Sequence, residues 1–105
     1  MNHLQSSDLK DISFHWTANG VGAIPLHTAT FKARLISNHF PCDEVEEIGP
    51  ENFKIEDADQ GMFRMELSDE KVQRAFQESD SLTLIVYGAI QGSGVTPVCK
   101  RVVLK

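Results

Sequence analysis

Along this chain, apolar positions alternate with polar ones far more often than they recur at helical spacing. Ile12, Phe14 and Trp16 are separated by Ser13 and His15, the period-two pattern of a strand with one buried face. Phe31, Ala33 and Leu35 repeat it with Lys32 and Arg34 outward, so Thr30 to Ile36 is the clearest amphipathic strand. Phe53 to Ile55 reads as a short strand. Asp57-Ala58-Asp59-Gln60-Gly61 then reads as a hairpin turn, because Asp tolerates turn geometry and Gly supplies a positive φ, and Phe63, Met65 and Leu67 alternate inward after it. The nearly continuous apolar run Leu82 to Tyr87 suits a central strand, and Gly92-Ser93-Gly94 turns it back into Val98 through Leu104.

Between these strands lie other elements. Ser68 has the chemistry of a helix N-cap, with Asp69 and Glu70 in the first turn and Leu67 and Val72 placed as a hydrophobic staple. One short helix is predicted over about residues 69–77, with Val72, Ala75 and Phe76 laid over the core as a cap. Asn19-Gly20 marks a turn. Residues 37–52 combine Pro41, Gly49 and Pro50 with five acids, which predicts a long surface connection. Residues 1–11 are polar without a clear period and read as a flexible N-terminal arm, a candidate contact element. The sum is six or seven strands and one helical connector, without βαβ alternation or internal repeats. A single mostly β domain over residues 12–105 is expected, built as a two-sheet sandwich or a small barrel.

Composition narrows the function classes. With 15 acidic and 10 basic side chains the formal charge is −5, the wrong sign for a protein that binds by neutralising phosphates, so nucleic acid is not an expected partner. The first 25 residues hold no sustained apolar run, and no stretch approaches the roughly 18 residues that span a bilayer. Neither a signal peptide nor a membrane partner is expected, and the chain reads as soluble. Cys42 and Cys99 are too few and too far apart for a disulfide framework. They read as reduced thiols, with a single bridge between them as the open alternative.

The residues offer little support for catalysis. His3, His15, His27 and His39 recur every 12 positions, but zinc sites draw ligands from tight local pairs, and none occurs. Aligning Gly61 with the glycine of a calcium loop puts Ala58 and Leu67 where oxygen ligands are required. No G-x-S-x-G or cysteine active-site signature is present, and the glycines between Gly88 and Gly94 lack the lysine and following helix of a phosphate cradle. No catalytic residue, metal or other cofactor is therefore expected, and the chain reads as not an enzyme.

Charge is more informative. Eight acids and one base, Lys54, fall between Asp43 and Asp59, whereas the last six residues hold Lys100, Arg101 and Lys105 and no acid. Solvated faces account for both runs. The sharper reading is electrostatic complementarity between copies or with a partner, through Asp43, Glu44, Glu46 and Glu47 on one side and Lys100, Arg101 and Lys105 on the other.

Three segments carry a family resemblance: Thr30 to Leu35, Phe53 to Asp57 leading through Gly61 to Phe63-Arg64-Met65-Glu66-Leu67-Ser68, and the closing hairpin from Leu82 to Leu104. In the order of its elements the chain resembles the small immunoglobulin-like β-sandwich domains of bacteriophage tail and baseplate proteins, of the type at the N-terminus of the baseplate upper protein. The resemblance implies a non-enzymatic assembly or adaptor module whose partners are copies of itself or other virion proteins. It also implies a place in the virion if the chain is phage-encoded; otherwise, with no signal peptide or membrane span read in the sequence, the cytoplasm is expected. The alternative is a small phage or bacterial inhibitor that offers its acidic surface to a basic site on a host protein.

Overall fold

The computed structural model describes residues 3–18, 22–23, 29–39, 41–77, 79–90 and 98–105. Among them the chain is mostly β, with ten strands and one α-helix: β1 (Leu4–Gln5), β2 (Ile12–His15), β3 (Thr17–Ala18), β4 (Gly22–Ala23), β5 (Ala29–Ser37), β6 (Glu44–Ile48), β7 (Phe53–Asp57), β8 (Met62–Met65), α1 (Asp69–Ala75), β9 (Ser81–Ile90) and β10 (Val98–Leu104). A five-stranded sheet runs in the order β1-β10-β9-β5-β6, a three-stranded sheet in the order β2-β8-β7, and β3 pairs with β4. The expected turns at Asn19-Gly20 and Gly92-Ser93-Gly94 lie outside the described residues.

The period-two pattern sets the faces. Phe31, Ala33 and Leu35 of β5 are buried while Lys32 and Arg34 are exposed, and Leu82, Leu84 and Val86 of β9 are buried beside them. The Leu82–Tyr87 run is the central strand expected of it, flanked by β10 and β5. Phe31 stacks on Phe63 of β8 with ring centroids 3.9 Å apart, and Trp16 and Phe53 lie against the pair at 5.8 and 5.7 Å from Phe31. These rings join the two larger sheets in an arrangement consistent with a β-sandwich, and each aromatic pair adds about 0.5–1.5 kcal/mol beyond the area it buries.

The helix begins as its sequence predicts. The Ser68 hydroxyl accepts the Lys71 amide at 3.2 Å, and Leu67, Val72, Ala75 and Phe76 are all buried. Gly61 takes the positive φ of 70° that its turn requires.

Three expectations change. The number of strands exceeds six or seven. Residues 37–52 are not an unstructured connection: Glu44–Ile48 forms β6 along β5, and Pro50–Asn52 makes a 3-10 turn. Pro41, Gly49 and Pro50 stand outside that strand and bound it instead of breaking it. The N-terminal segment also takes part in the core. Leu4 and Gln5 pair in parallel with Val103 and Leu104, a 3-10 helix covers Ser6–Lys10, and Leu9 is fully buried. The Lys10 carbonyl accepts the Leu67 amide at 3.3 Å, tying this segment to the entry of α1.

Candidate functional site

The four acids singled out in the sequence lie on or beside β6, the outermost strand of the five-stranded sheet. Glu44 is held by Arg34 at 3.3 Å. Both oxygens of Glu46 accept from Arg74 of the helix at 3.3 Å. Arg74 thus reaches from α1 across a shallow depression lined by Asp43, Glu44, Val45, Ala75 and Gln77. Asp43 uses its backbone carbonyl to accept the Ser37 amide at 2.9 Å, while its side chain and that of Glu47 face solvent. Exposed pairs of this kind contribute little to folding stability, about 0–1 kcal/mol each.

The remaining acids of the run are elsewhere. Glu56 and Asp57 belong to β7, an edge of the other sheet. There Glu56 accepts from the Ser13 hydroxyl at 3.3 Å, and Asp57 accepts the Gln60 amide at 3.2 Å inside the turn. The acidic stretch Asp43 to Asp59 therefore divides between two sheets and is not one surface.

Lys100 and Arg101 sit on β10, toward the opposite edge of the sheet that carries β6. Neighbouring residues of a strand point to opposite faces. Lys100 is exposed on the outer face, while Arg101 shares the inner face with the fully buried Val103 and is half-buried. Lys105 follows the strand, with its amide donating to the Asp80 carbonyl at 3.0 Å. Among the described residues none of these three cations forms an ion pair.

The strand registers align the two charged edges. Across β6, β5, β9 and β10, one row runs Glu46, Leu35, Leu84, Arg101 and the next runs Glu47, Arg34, Ile85, Lys100. Each row starts in an acid at one edge and ends in a base on the β10 side.

Arg34, which the sequence offered only as an outward residue, sits in the middle of the second row with its guanidinium 5.7 Å from the centroid of the Tyr87 ring. Its pKa is raised, first by hydrogen bonding and charge from Tyr87 and then by the charge of Glu44. Its outward direction was present in the sequence as the alternation of β5, whereas its place beside Tyr87 depends on the pairing of β5 with β9.

His3, His15 and His39 are exposed, and His27 lies outside the described residues. Among the described residues no three metal-ligating side chains cluster. Cys42 is an exposed free thiol in a left-handed backbone conformation with φ of 64°, closing a turn in which its amide donates to the His39 carbonyl at 2.7 Å. The side chain of Cys99 lies outside the described residues. No described helix is long and apolar enough to cross a membrane. No protein-family model, curated protein or solved structure matches the chain.

Proposed function

We propose that the chain is a non-enzymatic interaction module with an immunoglobulin-like β-sandwich fold, acting in a bacteriophage tail, baseplate or capsid-associated assembly through contacts with copies of itself or other virion proteins. Strand order supports the fold type. In variable-type immunoglobulin domains one sheet holds the last, penultimate and middle strands with an added edge strand, and the other sheet holds the early strands and those just before the crossover. Here β10, β9, β5 and β6 make the first set and β2, β8 and β7 the second, with α1 in the crossover from β8 to β9. Stacked Phe31 and Phe63 stand at the centre where such domains join their sheets.

The observation that carries the functional reading is the separation of charge to opposite sides of one sheet, acids on β6 and cations on β10. Charge so arranged steers an encounter and fixes its register. A decoy for a basic site on a host protein draws less support, because Glu44 and Glu46 are already held by Arg34 and Arg74. Quantitative mass spectrometry of purified particles tests the proposal. Many copies of the chain per particle are expected, and its absence from particles would overturn the reading.

A further inference from the structure

We infer that copies of this chain join edge to edge by strand addition, β6 of one copy lying antiparallel against Val98–Val102 of the next, with Glu47 facing Lys100 across the junction. The inference rests on the interaction-module reading and names the surface and partner it would use.

Direction is set by the sheet itself. Antiparallel pairing from β10 to β9, β9 to β5 and β5 to β6 leaves β6 running opposite to β10. A neighbouring copy in the same orientation therefore presents its β10 in the sense that an antiparallel ladder needs.

Level is set by the registers. Because Glu46 and Arg101 end one row and Glu47 and Lys100 end the next, a copy displaced across the sheet without slipping along the strands sets the exposed Glu47 opposite Lys100, with Glu46, held by Arg74, level with Arg101. The register shift that makes Val45 the bulged residue lies on the far side of Glu46, so Glu46–Ile48 supply a regular stretch for the ladder.

Availability agrees with both. Among the described residues β6 has β5 on one side and no strand on the other, and β1 covers β10 only at Val103 and Leu104. Unpaired strand edges are templates for another chain, and natural proteins commonly protect them with charge. Here the charge is selective: β6 against β6 would oppose acids to acids and β10 against β10 cations to cations, while β6 against β10 pairs unlike charges. The resulting contact is head-to-tail, so it closes into a ring or continues as a filament. Backbone hydrogen bonds supply the affinity, and the exposed Glu47–Lys100 pair, weak in itself, fixes the register.

Sedimentation velocity on the full chain, with circular dichroism to verify folding, tests the pairing. Wild type should self-associate at low salt and less so as salt rises. Glu47→Lys and Lys100→Glu should each weaken association by roughly ten-fold, since each turns an attraction into a repulsion. Mixing the two variants, or combining them in one chain, should restore association to within about three-fold of wild type. A wild type that stays monomeric at low salt overturns the inference, as does a mixture no stronger than its parts. Amide exchange on wild type gives an independent readout. Protection at Glu46–Ile48 and Val98–Val102 should rise with protein concentration, and unchanged protection at both edges overturns strand addition. Particle composition distinguishes the two failures: a monomer abundant in particles removes the edge contact alone, whereas absence from particles removes the module reading.

Discussion

Gly88 stands directly across from Phe31 in the β9–β5 pairing, and a Cβ on it would come within 2.9 Å of the Phe31 ring and 3.1 Å of Trp16. The Phe31 ring has little room to retreat, since Phe63 stacks on it at 3.9 Å from the opposite sheet. Gly88→Ala should therefore destabilise the fold by roughly 1–3 kcal/mol through overpacking. Urea unfolding of the two proteins measures it, and a change within about 0.5 kcal/mol would mean that the aromatic cluster is looser than these distances.

Phe63 contacts Phe14, Trp16, Phe31 and Phe53, so it belongs to both sheets. Phe63→Ala should cost roughly 3–5 kcal/mol, the range for emptying an aromatic site in a core. A loss below about 1 kcal/mol would show that the two sheets are held together elsewhere.

Leu9 gives a test of the N-terminal segment. Its side chain is fully buried, on a 3-10 turn whose Gln5 amide donates to the Asp8 carboxylate at 2.8 Å. Leu9→Ala should cost roughly 2–5 kcal/mol, whereas the exposed neighbour Lys10→Ala should stay within about 0.5 kcal/mol. Equal, small effects from both would describe a detachable arm.

The difference between what the sequence revealed and what it hid follows from periodicity. β5 was legible because Phe31, Ala33 and Leu35 alternate with charged residues over an uninterrupted stretch. Leu9 was not, because a 3-10 turn between two-residue and four-residue strands imposes neither the helical nor the strand period. β6 was hidden by its bulge: Val45 and Ile48, its only apolar residues, fall three apart, and the extra residue breaks the parity that a strand pattern relies on. The two charge runs were visible as composition. That Lys100 and Arg101 point to opposite faces follows from strand alternation alone. Their sharing rows with Glu47 and Glu46 does not, since it depends on strand pairings between residues distant in the chain.

β6 is thus both the element least legible in the sequence and the one on which the assembly depends, so its burial and its charge need separate tests. Ile48 is fully buried against the core, and Ala33 is its neighbour on β5. Ile48→Ala should cost roughly 2–5 kcal/mol of folding stability, because the cavity it leaves lies under an edge strand that also anchors Arg74 through Glu46. Glu47→Gln, one residue earlier and exposed, should change stability by less than about 0.5 kcal/mol. Thermal and urea unfolding of the two variants at a concentration low enough to keep both monomeric supplies the comparison. A neutral Ile48→Ala would remove β6 from the cooperative fold, and with it the rigid edge that strand addition requires. A strongly destabilising Glu47→Gln would mean that this carboxylate serves the monomer, so that charge reversal there could not report on assembly.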